Sequence, residues 1–446
     1  MAARLVDDER GVALALGLAI LLLLTGLVLA LLSVSGFEPQ IASNHARAVR
    51  ARYVAEAGVE YAYDTLATNL EAWDAFLAGA TCGQGAILGT PAASLPGFGS
   101  VHGTFTVRLR NDCETGDDRL TGGGLDLTAG RCADAPGTAT HDANCRVIVT
   151  STGVVGGTTR TLTVVVSRTG LPPINAALAF PGMKAGMSFG GSRFVIDGRD
   201  TRLSDRAGAP TGVGPAVYGI TVNGELPALA AQVESALAAG GQGDVRGKDE
   251  AAESATTQGP ATIRPDGTLT SRAVSEFAAA MRSLADVAIN LGSATTPSLD
   301  NIGSACATDH RSPACWGTTD RPKIVYLGGP ATAGPTPAPP LRLTGDSRGS
   351  GVLILENGVV EIDGSFRWNG PIVLTGRDVA LRFRGAGGQS VYGALIVNES
   401  NDGGSTTSLE GTAPGSAEIL YSKEALELVQ NGLKRRLVTT HGWTGR

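Results

Sequence analysis

The stretch VALALGLAILLLLTGLVLALL, Val12 to Leu32, runs for 21 residues without a charge. At about 1.5 Å per residue a helix of this length spans about 30 Å, the thickness of a bilayer's hydrocarbon core. Secretory apolar regions usually run about 7–15 residues, so the stretch is longer than a signal peptide needs, although Ser33-Val34-Ser35 resembles a cleavage site in its small side chains. Flanking charge does not orient the span. Arg4 and Arg10 precede it together with Asp7, Asp8 and Glu9, and the next arginines, Arg47, Arg50 and Arg52, lie well beyond its end.

From Phe37 the chain reads FEPQIASNHARAVRARYVAEAGVEYAYDTLATNLEAW. Ile41, Ala48, Ala51, Tyr53, Val54, Val59, Ala62 and Leu66 recur at roughly helical spacing, with Arg and Glu between them. Pro39 predicts a kink and not an end, because the apolar period resumes at once. Residues 12–78 therefore read as one rod, apolar in its first half and amphipathic in its second.

The charged leader ending DERG (Asp8–Gly11), the apolar run opening VALAL, then FEPQIASN and RYVAEAGVEYA (Arg52–Ala62) resemble the N-terminal domain of PilX-type minor pilins. The K-type pseudopilins of general secretion are similar in leader and apolar run. The resemblance covers residues 1–70; the segment Cys145–Arg168 resembles a hairpin that these proteins carry, and AEILYSKEAL (Ala417–Leu426) more loosely their ending. It implies a type IV pilin-like protein whose 1–11 leader is cut after Gly11 by prepilin peptidase, leaving Val12 as the mature N-terminus. It implies a single pass through the bacterial inner membrane with the C-terminal part periplasmic. Transfer to a pilus at the cell surface would follow, with the N-terminal helix packed on other major and minor pilins. Typical pilins carry Glu five residues after the cleaved Gly, and here Leu16 stands in that place. In the family that Glu neutralises a neighbour's terminal ammonium in the apolar filament core, where an unpaired charge is costly. Its replacement implies a subunit without a neighbour in that direction, at or near a filament tip.

Residues 79–170 read as a small disulfide-containing β domain. Val101–Asp112 alternates apolar and polar residues, and RVIVTSTG…TRTLTVVVSR predicts a hairpin around Gly156-Gly157. Cys82, Cys113, Cys132 and Cys145 fall here, and their spacing leaves all three connectivities open. Cys306 and Cys315, nine apart in a polar loop, read as one local bridge. All six cysteines lie beyond the apolar span, an even count that suits an oxidising compartment. The rival chemistry is zinc held by Cys306, His310 and Cys315, although no C-x-x-C is present.

Residues 171–446 read as a Gly-rich, mainly β domain with helical inserts at Leu226–Gly240 and Ser271–Leu291. GVLIL (Gly351–Leu355), GPIVL (Gly370–Leu374) and GALIV (Gly393–Val397) are three copies of one motif, and Gly358, Gly364, Gly370 and Gly376 recur every six residues. Such spacing predicts β-solenoid-like repeats at 345–415, with an antiparallel meander as the alternative. The fold expected is α+β: a long N-terminal helix, a small β domain and a Gly-rich, solenoid-like body.

The chain holds 62 Gly and only five His in 446 residues, which leaves little material for His-based chemistry. A formal net charge of −6 argues against a nucleic-acid partner bound through its phosphates. Gly186-Met187-Ser188-Phe189-Gly190 matches G-x-S-x-G, but the sequence after it reads as a strand where a nucleophile elbow needs a helix. Asp197, Asp200 and Asp205, and the turn Asn398–Gly404, offer oxygen ligands for Ca²⁺ without EF-hand spacing. Glu361 and Asp363 share a strand face, and Trp368 and Tyr392 could stack on sugar. No catalytic residue and no required cofactor is expected. The alternative to a pilin is a membrane-anchored periplasmic or surface β-solenoid protein that binds or cleaves glycans.

Overall fold

A computed structural model describes residues 5–69, 73–94, 103–114, 117, 137–142, 144–189, 193–205, 209–239, 244–249, 262–291, 298–329, 339–400, 408–411 and 416–445. The chain divides into two units, residues 1–168 with 438–446, and residues 169–437.

In the first unit α1 (Leu5–Thr68) is one continuous helix with Pro39 inside it; it begins within the charged leader and ends ten residues short of the 12–78 rod expected. Its second half turns Ala51, Val54, Ala55, Val59, Ala62 and Leu66 inward, residues that share one face of an α-helix. That face packs on an antiparallel sheet of β1 (Thr104–Asn111), β2 (Arg146–Val155) and β3 (Thr158–Arg168). Burying Val59 or Leu66 here contributes about 1.5–3 kcal/mol each. The hairpin turns at Gly156-Gly157 as the pattern predicts, with Val155 opposite Thr158. Gly153 of β2 lets the helix approach closely: a Cβ there would lie 2.3 Å from the Ala51 carbonyl oxygen and 2.5 Å from the Ala55 nitrogen. Trp73, fully buried, donates its indole N–H to the Leu66 carbonyl at 3.1 Å, and the Arg168 guanidinium lies 5.0 Å from its ring centroid. The strand Val438–Gly445 closes this sheet, antiparallel to β3 with Val438 opposite Arg168. The Gly-rich body is thus an insertion between two neighbouring strands.

In the second unit the principal strands are β4 (Lys323–Gly328), β5 (Leu341–Glu356), β6 (Val359–Gly376), β7 (Gln389–Glu399) and β8 (Ser416–Tyr421), all paired in parallel. The long strands turn corners, so each serves more than one ladder. Ser298–Asp300, Leu341–Thr344, Val359–Ile362, Ala380–Phe383, Leu409–Gly411 and Met187–Phe189 form one ladder. The middle of β5 and β6, the start of β7, β8, Arg193–Asp197 and Asp244–Arg246 form a second. The third joins Val287–Asn290, β4, the ends of β5, β6 and β7, then Ala176–Phe180, Tyr218–Asn223 and Ile263–Asp266. The resulting sheet is curled and half-barrel-like. Its inner face buries Trp316, Trp368, Phe180, Phe366 and Phe383 among aliphatic residues.

Among the described residues this unit also holds the α-helices α2 (Ala228–Ala239), α3 (Ser271–Ser283) and α4 (Lys423–Leu437). α2 seats Val233 and Leu237 in the core. α3 starts where the Thr270 hydroxyl accepts the Ala273 N–H at 3.2 Å, and it buries Val274, Phe277, Ala278 and Met281. The helical pattern of Ser271–Leu291 does not run to its end. Beyond the Leu284 cap, Val287–Asn290 joins β4 as a parallel strand, where the β-branched Val287 and Ile289 fit a pleated ladder. Ala417–Leu426, which resembled a pilin ending, spans β8 and the start of α4 inside the inserted body.

The three Gly-aliphatic copies lie side by side in the third ladder, their glycines stacked at the corner. A Cβ on Gly370 would meet the Gly351 carbonyl oxygen at 2.1 Å, and one on Gly393 the Gly370 carbonyl oxygen at 2.5 Å. Gly370 also has φ +132°, which side chains disfavour. Gly370→Ala should therefore cost at least about 2 kcal/mol in a urea unfolding series, from backbone strain plus overpacking. Gly388→Ala, with open space around its added methyl group, should stay within about 0.5 kcal/mol of the parent. Equal midpoints for the two variants would contradict the stacked corner.

Candidate functional site

The surface feature that sets this chain apart is the first half of α1. Val12–Leu32 is long and apolar enough to cross a membrane, with mean hydropathy 2.8, and none of it is buried against the rest of the protein. Its large apolar side chains are each 51–73% exposed, Leu16 among them at 62%. The lone hydroxyl near its centre, on Thr25, donates to the Leu21 carbonyl at 2.6 Å, so this polar group adds no open donor to an apolar surface. Gly11 and Val12 fall within the first turns of α1, at the border between the charged leader and this surface. By length and composition alone the segment fits a membrane anchor or a signal sequence equally.

Four of the six cysteines form two disulfides, Cys82–Cys113 and Cys306–Cys315. The first resolves one of the connectivities that spacing left open. Cys145 is in no disulfide among the described residues, and Cys132 lies outside them. The second disulfide consumes the two thiolates that a zinc site at Cys306, His310 and Cys315 needs. His310 Nδ1 lies 3.6 Å from Cys315 Sγ, and burial, followed by the charges of Lys323 and Arg321, holds its pKa below the ordinary imidazole value. Beneath this loop the buried Lys323 ammonium donates to the carbonyls of His310 and Cys315. Burial pushes the Lys323 pKa down.

The remaining candidates resolve into structural contacts. Met187–Phe189 is a strand parallel to Leu409–Gly411, and Arg193–Asp197 is again a strand, so Ser188 sits on no strand-to-helix elbow; Gly190 lies outside the described residues. The three acids proposed for Ca²⁺ hold separate partners. Asp197 pairs with Arg199 at 2.7 Å, and Asp200 accepts the backbone N–H groups of Gly214 and Lys423, the latter at the start of α4. Asp205 accepts the N–H groups of Arg202 and Thr211. Of the turn Asn398–Gly404, residues 401–404 lie outside the described residues. Among the described residues no three His, Cys, Asp or Glu side chains form a group that could hold a metal ion.

Glu361 is one member of a charge ladder that sequence alone did not reveal. Arg342, Glu361, Arg382 and Glu410 are direct neighbours on successive parallel strands, with Arg342–Glu361 at 3.3 Å, Glu361–Arg382 at 3.1 Å and Arg382–Glu410 at 3.1 Å. Arg384 joins both acids at 3.5 and 3.3 Å. The four residues lie on separate strands and become neighbours only through the parallel register, which no local pattern shows. Trp368 is fully buried in the core, and Tyr392, 4% exposed, donates its hydroxyl to the Asp205 carbonyl at 2.6 Å. Neither ring is open for stacking on a sugar.

No family model and no curated protein matches the chain. Among solved structures, the crystal structure of the competence-associated pilin ComZ from Thermus thermophilus aligns with 90% of this chain and 98% of its own, at 12% identity and a TM-score of 0.27. A score this low does not establish a common fold.

Peptide mapping of the unreduced protein should recover Cys82 linked to Cys113 and Cys306 linked to Cys315. A bond from Cys82 to Cys132 or Cys145 would contradict the first pair. Replacing Cys306 and Cys315 together by Ser should cost roughly 2–3 kcal/mol on the loop-entropy scale, read as a lower urea midpoint.

Proposed function

We propose that this protein is a non-enzymatic minor pilin of a type IV pilus or related filament. The observation that carries this is the composition of α1, a single helix whose bare apolar half continues into an amphipathic half seated on an antiparallel sheet. An apolar helix with nothing to cover it needs lipid or other helices, and a filament core supplies the latter. The DERG leader, with its resemblance to PilX-type pilins, supports cleavage by prepilin peptidase after Gly11 and a mature N-terminus at Val12. Before assembly the apolar half would hold the protein in the inner membrane, and afterwards it would pack against other pilins.

Within that reading the subunit sits at or near the filament tip. Leu16 offers no carboxylate to the terminal ammonium of a subunit ahead, and an unpaired charge in an apolar core costs several kcal/mol. The body inserted at 169–437 adds bulk that a closely packed shaft would repeat at every position.

Intact-mass and Edman analysis of membrane-extracted protein should give a chain starting at Val12. A start at Met1 or near Gly36 would refute processing as a pilin. Immunogold labelling of sheared filaments should place gold at one end, and uniform decoration along the shaft would rule out the tip.

A further inference from the structure

Arg348 of β5 and Arg367 of β6 are direct neighbours in parallel register. Adjacent strands lie about 4.8 Å apart, so two like charges here repel. On another face of the same sheet the chain alternates sign, Arg342–Glu361–Arg382–Glu410, which makes the doubled arginine a departure from its own pattern. Among the described residues no acidic side chain pairs with Arg348 or Arg367. Arg367 is held in place by other means: it donates to the Leu203 carbonyl and to Asn369 Oδ1 at 3.4 Å, and its guanidinium lies 4.4 Å from the Tyr392 ring centroid.

Both arginines line a cavity of about 540 Å³, with Ser304, Thr318, Thr319 and Asn369 also on its wall. That volume lies in the ~300–1,000 Å³ range of small-molecule sites. One wall belongs to the loop that the Cys306–Cys315 disulfide closes and the Lys323 ammonium ties down from beneath, so the cavity is built before any ligand arrives. Two guanidinium forks one strand apart match the paired oxygens of a carboxylate or phosphate. An anion placed between them would also remove their repulsion. Hydroxyl and amide groups on the remaining wall suit a polyol.

We propose that this cavity binds a small sugar carrying an oxyanion, a hexuronate or a hexose phosphate. The anionic group bridges Arg348 and Arg367 while the sugar hydroxyls face Ser304, Thr318, Thr319 and Asn369. The site is independent of the filament assignment and stands or falls separately from it.

Isothermal titration of the full-length chain in detergent micelles at low salt tests this, with D-galacturonate, D-glucose 6-phosphate, sodium sulfate and D-glucose as probes. At least one acidic sugar should bind tenfold or more tightly than glucose, and which of the two does so identifies a carboxylate or a phosphate as the recognised group. Arg348→Gln should weaken that binding at least tenfold without lowering Tm, because it also removes a repelling neighbour. If Arg348→Gln does not fold, Arg348→Lys keeps the charge but loses the fork and should weaken binding at least threefold. Binding by sulfate alone, equal binding of glucose, no binding of either acidic sugar, or undiminished affinity in the folded Arg348 variant would each overturn the proposal.

Discussion

In the first unit the backbone of α1 at Ala51 and Ala55 runs against that of β2 at Gly153, too close to admit a Cβ at that position. No side chain separates them there. Isolated amphipathic helices are marginal in water and depend on packing of one face for stability. The seat on β2 supplies that packing and settles which side of α1 faces inward, placing Val54, Val59, Ala62 and Leu66 against the sheet. The strands reach only the second half of the helix. The first half has the same backbone continuity and nothing to rest on, so its exposure follows from where the sheet lies along the rod.

The inserted body follows a different constraint. Its neighbouring strands run in parallel, so each return between paired segments needs a connection and each long strand must turn from one ladder into the next. The stacked corner at Gly351, Gly370 and Gly393 makes this turn possible because backbone passes directly over backbone. The body starts and ends at adjacent points: the Thr169 N–H donates to the Leu437 carbonyl at 2.7 Å, and on the sheet side Arg168 lies opposite Val438. An insertion whose ends lie together disturbs its host little, which is why a body of this size can be spliced between two strands of one sheet.

The parts of this architecture that were legible in sequence are those written in local patterns. An uncharged run from Val12 to Leu32, a hairpin around Gly156-Gly157 and a Gly-aliphatic motif repeated three times each announce themselves within a few dozen residues. Features fixed by distant partners were not legible. The strand Val438–Gly445 pairs with β3 some 270 residues earlier in the chain, and nothing in VTTHGWTG identifies that partner. The alternative sugar-stacking roles of Trp368 and Tyr392 failed for the same reason, since an aromatic in a strand shows its face only once the register is known. The Arg348–Arg367 adjacency was equally hidden, because the two residues become neighbours only through the parallel register of β5 and β6. Helical period misled at Ser271–Leu291, where a continuous apolar rhythm passes from α3 through a cap into a strand without a Gly or Pro to mark the change.

Energetics bear most directly on the apolar half of α1. Fourteen large apolar side chains between Val12 and Leu32 stand at least half exposed. Burying each fully would be worth about 1.5–3 kcal/mol, and even half of that sum is on the order of 10–20 kcal/mol. This rivals the net stability of a typical domain, about 5–15 kcal/mol. A surface of that worth is costly to leave in water, and lipid or other helices are the surroundings that would relieve the cost. In either medium the helical backbone bonds are satisfied internally, and Thr25 closes its hydroxyl on Leu21. A free ammonium is the one group such surroundings penalise heavily. In the proposed filament the end of the chain at Val12 therefore places the strictest demand on its neighbour, and a chain with Leu16 can stand next to another subunit's terminus only where that terminus finds its counter-charge elsewhere or where no such subunit follows.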